Sequence, residues 1–273
     1  MANIGIIAGS GELPLMVIAE CKKKNITPFI AKIKNFADDE KYKNFTTTSI
    51  SFGQIGKAVS FFKKNNVKEV IFAGAVKKPS LKSIFPDLTG FFLLLKLLKT
   101  KLLGDDNILR CVINFAEEKG FSILPVHKFL GQEIPQGQIG DWNLPNNDYK
   151  IDIELGVSVL KQLGELDIGQ AIAIQNGMVI AIECIEGTQK MLEKCKDLKY
   201  NKGRKPILVK MKKTSQTDKA DLPAIGEKTI EQLKSSDFAG VVIDSKNSII
   251  LDKEKTIILA NKEKIFIYGY SDL

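Results

Sequence analysis

Two kinds of apolar stretch alternate along the first half of the chain. Asn3 to Ala8, Thr27 to Ile33 and Val67 to Phe72 are near-continuous apolar runs, as expected of strands buried on both faces. Between them, Leu15 to Lys23 and Gly53 to Lys64 carry apolar side chains at helical spacing, in the second at Ile55, Val59 and Phe62. Pro14 sits where a first helical turn tolerates proline. Ser49 to Ser51 is a short third strand candidate. Asp87 to Leu103 predicts a long helix interrupted near Gly90, Ile108 to Lys119 a further helix, and Phe121 to Val126 a further strand. Strands alternating with helices predict a parallel, doubly wound α/β sheet.

From His127 to Asn147 no period holds, and Gly131, Pro135, Gly137, Gly140 and Pro145 interrupt the run. This is read as a linker. Residues 1–130 are expected to form one α/β domain, 131–148 the linker and 149–273 a second α/β domain. The second half restarts with a helix, Ile151 to Leu163. Gln170 to Gln175 and Met178 to Glu183 are apolar runs joined by Asn176-Gly177, a strong hairpin signal. Thr188 is placed as the N-cap of a helix reaching about Lys196. Pro206 to Val209 reads as a buried strand, Glu227 to Ser235 as a helix, and Gly240 to Ile243 as a strand. Lys253 to Asn261 reads as a helix and Lys264 to Tyr268 as a last strand.

Composition narrows the function classes. A chain of 273 residues with 44% hydrophobic and 26% charged residues is ordinary for a globular protein. The net charge of +8 invites a polyanionic partner, but Arg110 and Arg204 are the only arginines. Arginine is the residue that reads guanine edges and clamps phosphate with two parallel bonds, so nucleic acid is set aside in favour of an acidic membrane surface or a polyanionic substrate. His127 is the single histidine, and none of Cys21, Cys111, Cys184 and Cys195 has CxxC spacing. That argues against a zinc finger and against histidine-based catalysis. Cys21, Cys111 and Cys184 stand among apolar neighbours and are expected to be reduced core thiols. The N-terminus enters a strand pattern at once, so no signal peptide is expected and the compartment is read as cytoplasmic.

Candidate chemistry gathers in a few places. Gly9-Ser10-Gly11 follows the first strand, where backbone N–H groups at a helix N-terminus suit phosphate. Pro14 holds the place of a third glycine, and the second strand ends in Ala31-Lys32-Ile33-Lys34 without an acid for a ribose, so a nicotinamide cofactor is disfavoured. Glu183 and Glu186 precede the helix N-terminus at Gly187-Thr188 and are placed to orient a metal ion or a water beside an anion. Lys210 opens a lysine-rich segment that runs through Gln216 and Asp218 to Asp221-Leu222-Pro223. Cations beside oxygen ligands suit a phosphate with a hard metal ion. Phe91 to Leu103 carries more apolar residues than one buried stripe needs, with Lys96, Lys99 and Lys101 among them, and this suits acyl chains or an anionic membrane.

Four segments in order, Ile6 to Pro14, Gly104-Asp105-Asp106, Ala181 to Leu192 and Gln216 to Gly226, resemble the LpxI-type UDP-2,3-diacylglucosamine pyrophosphatases of lipid A biosynthesis. The resemblance spans nearly the whole chain. It implies two α/β domains, the first Rossmann-like with a mostly parallel sheet, with the substrate held between them. It implies Mg2+-dependent hydrolysis of a lipid-linked nucleotide sugar to UMP and 2,3-diacylglucosamine 1-phosphate (lipid X). Asp221 of the Asp-Leu-Pro motif is the residue it ties to catalysis, with Asp218 and Gln216 beside it. Asp221, Glu183 and Glu186 are the expected metal ligands. Gly9, Ser10, Gly11, Gly74, Lys77, Gly187, Thr188 and Lys210 are the expected substrate contacts. The inner-membrane surface is the expected peripheral partner, and a homo-oligomer is compatible with the reading. The alternative from another class is a non-catalytic nucleotide- or lipid-binding module.

Overall fold

A computed structural model describes residues 2–76, 86–99, 105–142, 149–200, 202–213, 217, 219, 220 and 222–271. The chain forms two compact units, and Thr217, Lys219 and Ala220 cluster with the first although the chain on either side of residues 217–221 belongs to the second.

The first unit runs β1 (Asn3–Ala8), α1 (Leu13–Lys23), β2 (Thr27–Ile33), β3 (Thr46–Ile50), α2 (Ile55–Lys64), β4 (Glu69–Ala73), α3 (Leu88–Lys99), α4 (Asp105–Glu118), β5 (Ser122–Ile123) and α5 (Val126–Leu130). Its five strands lie in the order β3-β2-β1-β4-β5 and are parallel throughout. The apolar runs form strands because both sheet faces are covered: Ile4, Ile6 and Ile30 are at most 1% exposed. Helix α2 turns Ala58 and Phe62 inward, and the Phe62 ring passes within 3.1 Å of where a Cβ on Gly5 would stand. A larger residue at position 5 would push that helix off the sheet.

The second unit runs β6 (Gly137–Ile139), α6 (Tyr149–Glu165), β7 (Ala171–Gln175), β8 (Met178–Ile182), α7 (Thr188–Leu198), β9 (Ile207–Lys210), β10 (Ala224–Ile225), α8 (Glu227–Ser235), β11 (Gly240–Asp244), β12 (Ile249–Ile250), α9 (Lys253–Glu263) and β13 (Phe266–Tyr270). Six strands form a mixed sheet in the order β6-β13-β11-β9-β7-β8, and β10 pairs separately with β12. The β7–β8 hairpin turns on Asn176 (φ 52°) and Gly177 (φ 76°), the left-handed pair that a tight two-residue hairpin requires.

Several expectations change. The stretch read as a featureless linker contains α5 and β6, and β6 pairs antiparallel with β13. Cys184 is exposed and Cys111 half-buried, whereas Cys21 and Cys195 are buried, with their thiols pushed up to about 11, chiefly by desolvation. The helix expected over Asp87–Leu103 is α3, and residues 100–104 lie outside the described residues. Leu88, Phe91 and Phe92 are exposed on it while Leu93 is buried. Among the described residues no helix is long and apolar enough to cross a membrane.

Candidate functional site

In the first sheet the chain steps outward from β1 to β2 and β3, then returns to the other side of β1 for β4. The strand order reverses between β1 and β4. Open α/β sheets bind ligands beyond the carboxyl ends of their strands at such a reversal. There the loops after β1 and β4 are tied together. Ser10 N–H donates to the Ala75 carbonyl (2.9 Å), Ala75 N–H to the Ser10 carbonyl (2.9 Å), and the Ser10 hydroxyl also donates to Ala75 (2.8 Å). Glycine at positions 9 and 74 makes this approach feasible. A Cβ on Gly9 would lie 2.7 Å from the Ala75 carbonyl oxygen, and one on Gly74 (φ 93°) 2.6 Å from that of Ser10. Gly9, Ser10, Gly11 and Gly74 thus share one locus.

The donors available there differ from the expected set. The N–H of Gly9 is spent on Ala73 (2.9 Å) and that of Ser10 on Ala75, so neither is open to a phosphate. Gly11 (φ 91°) faces open space, and α1 begins two residues later. Further along the same edge, a cavity of about 260 Å3 at the carboxyl ends of β2 and β3 is lined by Lys32, Lys34, Asn35, Asp39 and Ser49. Lys32 pairs with Asp39. The lysines that replace a ribose-binding acid therefore line a cavity of their own.

In the second unit a hydrogen-bonded line joins three expected residues. Glu183 follows β8, Thr188 opens α7 and Lys210 ends β9. The Thr188 hydroxyl donates to Glu183 Oε1 (2.5 Å), and Lys210 Nζ donates to Thr188 Oγ1 (3.4 Å) and to the Ala224 carbonyl (3.2 Å). Glu183 Oε2 accepts the N–H of Gln170 (3.3 Å). Glu183 and Lys210 are 7% and 9% exposed. Gly169 (φ 54°) makes room for the turn, since a Cβ there would lie 2.1 Å from the Glu183 carbonyl oxygen. Thr188 is accordingly the first helical residue rather than the cap. Gly187 holds the cap position, and the Thr188 hydroxyl serves Glu183 instead.

The carboxylates expected to hold a metal are engaged elsewhere. Both oxygens of Glu183 have donors, and Glu186 pairs with Lys194 at 3.0 Å. Hydrogen bonds from its own backbone N–H and from Lys194 hold the Glu186 carboxyl below its usual range. Among the described residues no cluster of three or more carboxylate, histidine or cysteine side chains could hold a metal ion. Glu183 and Glu186 are thus each taken up by protein donors, with no third such ligand beside them among the described residues.

Gln216, Asp218, Asp221 and Lys77 lie outside the described residues. Their neighbours carry information that periodicity did not. Ala220 is 1% exposed in a core cluster with Phe62, Ile113 and Phe121 of the first unit, and Lys219 pairs with Glu117 of α4. The signal available in the sequence was the lone alanine inside a charged stretch, since a small apolar residue is what a tight docking point admits.

Residues 3–132 match the family model described as the LpxI N-terminal domain, and residues 135–268 match the LpxI C-terminal domain. The chain is 30% identical over 275 residues to the UDP-2,3-diacylglucosamine pyrophosphatase LpxI of Caulobacter vibrioides, covering 98% of each chain. Among solved structures, the biotin carboxylase domain of the Hydrogenobacter thermophilus 2-oxoglutarate carboxylase gives a TM-score of 0.27 at 12% identity, over 71% of this chain and 40% of that one. A likeness at that level carries no argument about fold or activity.

Proposed function

The chain belongs to the LpxI family, and from that premise we propose that it hydrolyses the diphosphate of UDP-2,3-diacylglucosamine to UMP and 2,3-diacylglucosamine 1-phosphate. The observation that carries this reading is similarity over 98% of both chains to a relative named for that substrate. Such coverage takes in both units together with the Asp221-Leu222-Pro223 segment. The strand-order reversal is the place where open α/β sheets bind ligands, and the lysine-lined cavity along the same edge offers cations to an anionic substrate.

In this reading Asp221 activates the attacking water, on the strength of its place in the Asp-Leu-Pro motif, and Asp218 and Gln216 stand beside it. The proposal includes dependence on Mg2+. Glu183 and Glu186 are bonded to Thr188, Gln170 and Lys194, and no catalytic step is assigned to the ion. Magnesium commonly keeps most of its waters and takes only one or two protein carboxylates beside substrate phosphates. The exposed Leu88, Phe91 and Phe92 of α3 are the surface proposed to meet acyl chains at the inner membrane.

The test is UMP release from UDP-2,3-diacylglucosamine, with Mg2+ and after chelation, for the wild type and Asp221→Ala. The expected result is turnover that chelation abolishes and that the substitution lowers by about 10²–10⁴-fold, as loss of a general base does. No UMP release by the wild type with Mg2+ present would leave the non-catalytic binding module as the better reading. Turnover by Asp221→Ala within about tenfold of wild type would remove Asp221 from the water-activating role.

A further inference from the structure

One face of α4 carries Arg110, Ile113, Asn114 and Glu117, at the three- and four-residue spacings that bring side chains together on a helix. Within the first unit this face looks onto Thr217 and Lys219. Arg110, Ile113, Asn114, Thr217 and Lys219 line a cavity of about 330 Å3. The buried Ile113 forms an apolar wall, and Ala220 belongs to the same core cluster. The Lys219–Glu117 pair ties the segment to the helix.

The remaining lining is a set of donors. The Thr217 hydroxyl accepts the Lys219 backbone N–H at 3.3 Å, which leaves its own proton to donate. Asn114 offers an amide, and the exposed Arg110 a planar fork of five N–H groups. Glu117, on the same face of α4, is bonded to Lys219. Donors and a fixed positive charge, with no carboxylate among the described lining residues, match an oxyanion with several oxygens. The volume lies at the lower end of small-molecule sites, which span about 300–1,000 Å3, and is more than a single free phosphate requires.

We propose that this cavity receives the diphosphate of the nucleotide sugar, with Arg110 as its principal cationic contact and Asn114 and Thr217 as hydrogen-bond donors. The inference rests on the proposed function. It adds to that reading a substrate contact on α4, facing the two residues that flank Asp218 in the sequence.

The test uses the full-length chain. Initial rates on UDP-2,3-diacylglucosamine are compared for wild type, Arg110→Gln, Arg110→Lys and Asn114→Asp, alongside thermal melting and inhibition by UMP and by inorganic phosphate. Arg110 and Asn114 are exposed, so all three variants are expected to melt with the wild type. Arg110→Gln should lower kcat/KM by about 10–100-fold, the range for losing a hydrogen bond to a charged group. Arg110→Lys should recover part of that loss, because it keeps the charge without the fork. Asn114→Asp, nearly isosteric, should lower kcat/KM by about tenfold or more by placing a like charge against the phosphates. UMP should inhibit the wild type more strongly than Arg110→Gln.

Rates within about twofold of wild type for both Arg110→Gln and Asn114→Asp would overturn the inference while leaving the proposed function in place. Inhibition by inorganic phosphate that depends on Arg110, with substrate KM unchanged in Arg110→Gln, would assign the cavity to free phosphate and overturn the diphosphate assignment. If the wild type releases no UMP, binding of UMP by titration calorimetry decides. Binding lost in Arg110→Gln would support the anion site and remove only the hydrolytic reading, and equal binding in both would overturn the site.

Discussion

Thr188→Val isolates the buried line from Glu183 to Lys210. Valine matches threonine in shape, so the substitution removes one hydroxyl and leaves the packing nearly intact. Thr188 is not the cap of α7, so no helix cap is lost with it. What disappears is the 2.5 Å bond to Glu183 Oε1 and the acceptor that Lys210 Nζ uses at 3.4 Å. The first is a bond to a carboxylate that is only 7% exposed, where water does not readily replace the lost donor. Such bonds contribute about 1.5–3 kcal/mol, and the long Lys210 contact adds little. The expected loss is therefore about 2–3 kcal/mol for Thr188→Val, and within about 1 kcal/mol for Thr188→Ser, which keeps the hydroxyl and drops one methyl.

Trp142 provides the assay. It is the single tryptophan and packs against the core of the second unit, so urea unfolding followed by its fluorescence reports on the unit that holds the network. A double-mutant cycle with Glu183→Gln separates the pair from its surroundings. The two substitutions should be non-additive by about 1 kcal/mol or more, because Thr188→Val removes the bond and Glu183→Gln strips the same bond of its charge. Additivity within about 0.5 kcal/mol would refute the coupling. The cycle also bears on metal binding. With Glu183 committed to Thr188 and Gln170, Glu183→Gln should leave the Mg2+ concentration needed for half-maximal turnover unchanged, whereas a direct ligand would raise it by about tenfold or more.

Two further predictions concern the first unit. Gly9→Ala should cost about 2–4 kcal/mol, because its Cβ would stand 2.7 Å from the Ala75 carbonyl oxygen and force apart the Ser10–Ala75 bridge, whereas Gly11→Ala meets open space and should cost only the roughly 1–2 kcal/mol of a left-handed backbone. Equal melting of the two variants would contradict this account of the locus. On α3, Leu93→Ala should cost about 2–5 kcal/mol because Leu93 is 4% exposed, while Phe92→Ser, 62% exposed in the wild type, should stay within about 0.5 kcal/mol and raise KM for the diacylated substrate. Unchanged KM in a stable Phe92→Ser would remove this face from lipid contact.

The elements legible in the sequence were those whose burial is set locally. Near-continuous apolar runs gave β1, β4, β7, β9 and β11, since strands covered on both faces leave few polar positions. Asn176-Gly177 was legible because few residues take positive φ at two consecutive positions. Strand β6 was not: three residues, Gly137 to Ile139, are too few to show a period, and only pairing with β13 defines them. Cys184 was read as a core thiol because its neighbours Ile182 and Ile185 are apolar. The strand has ended by then, and with Glu183 turned inward the next two side chains face solvent, where Ile185 is fully exposed. The roles expected of Glu183 and Thr188 depended on which neighbour each would bond, and spacing along a chain does not carry that information.

The same limit applies with more consequence to Thr217, Lys219 and Ala220. Chemistry was expected in this segment from its lysines and carboxylates, while its docking on the first unit was not visible. Its own contacts are slight. Burying Ala220 is worth about 1 kcal/mol, and an ion pair like Lys219–Glu117, with both side chains more than a third exposed, adds between about 0 and 1 kcal/mol. Ordering three backbone residues costs about 3–6 kcal/mol. Those two contacts do not offset that cost, so the difference has to come from the strands that anchor the segment at its ends, β9 and β10, or from a ligand. A diphosphate bonded to Arg110 and Asn114 on one side and to Thr217 on the other would supply it, at about 1.5–3 kcal/mol per charged hydrogen bond. Substrate binding would then help hold Thr217, Lys219 and Ala220 against α4, which predicts that UMP slows proteolytic cleavage at Lys219 in the wild type and fails to do so in Arg110→Gln.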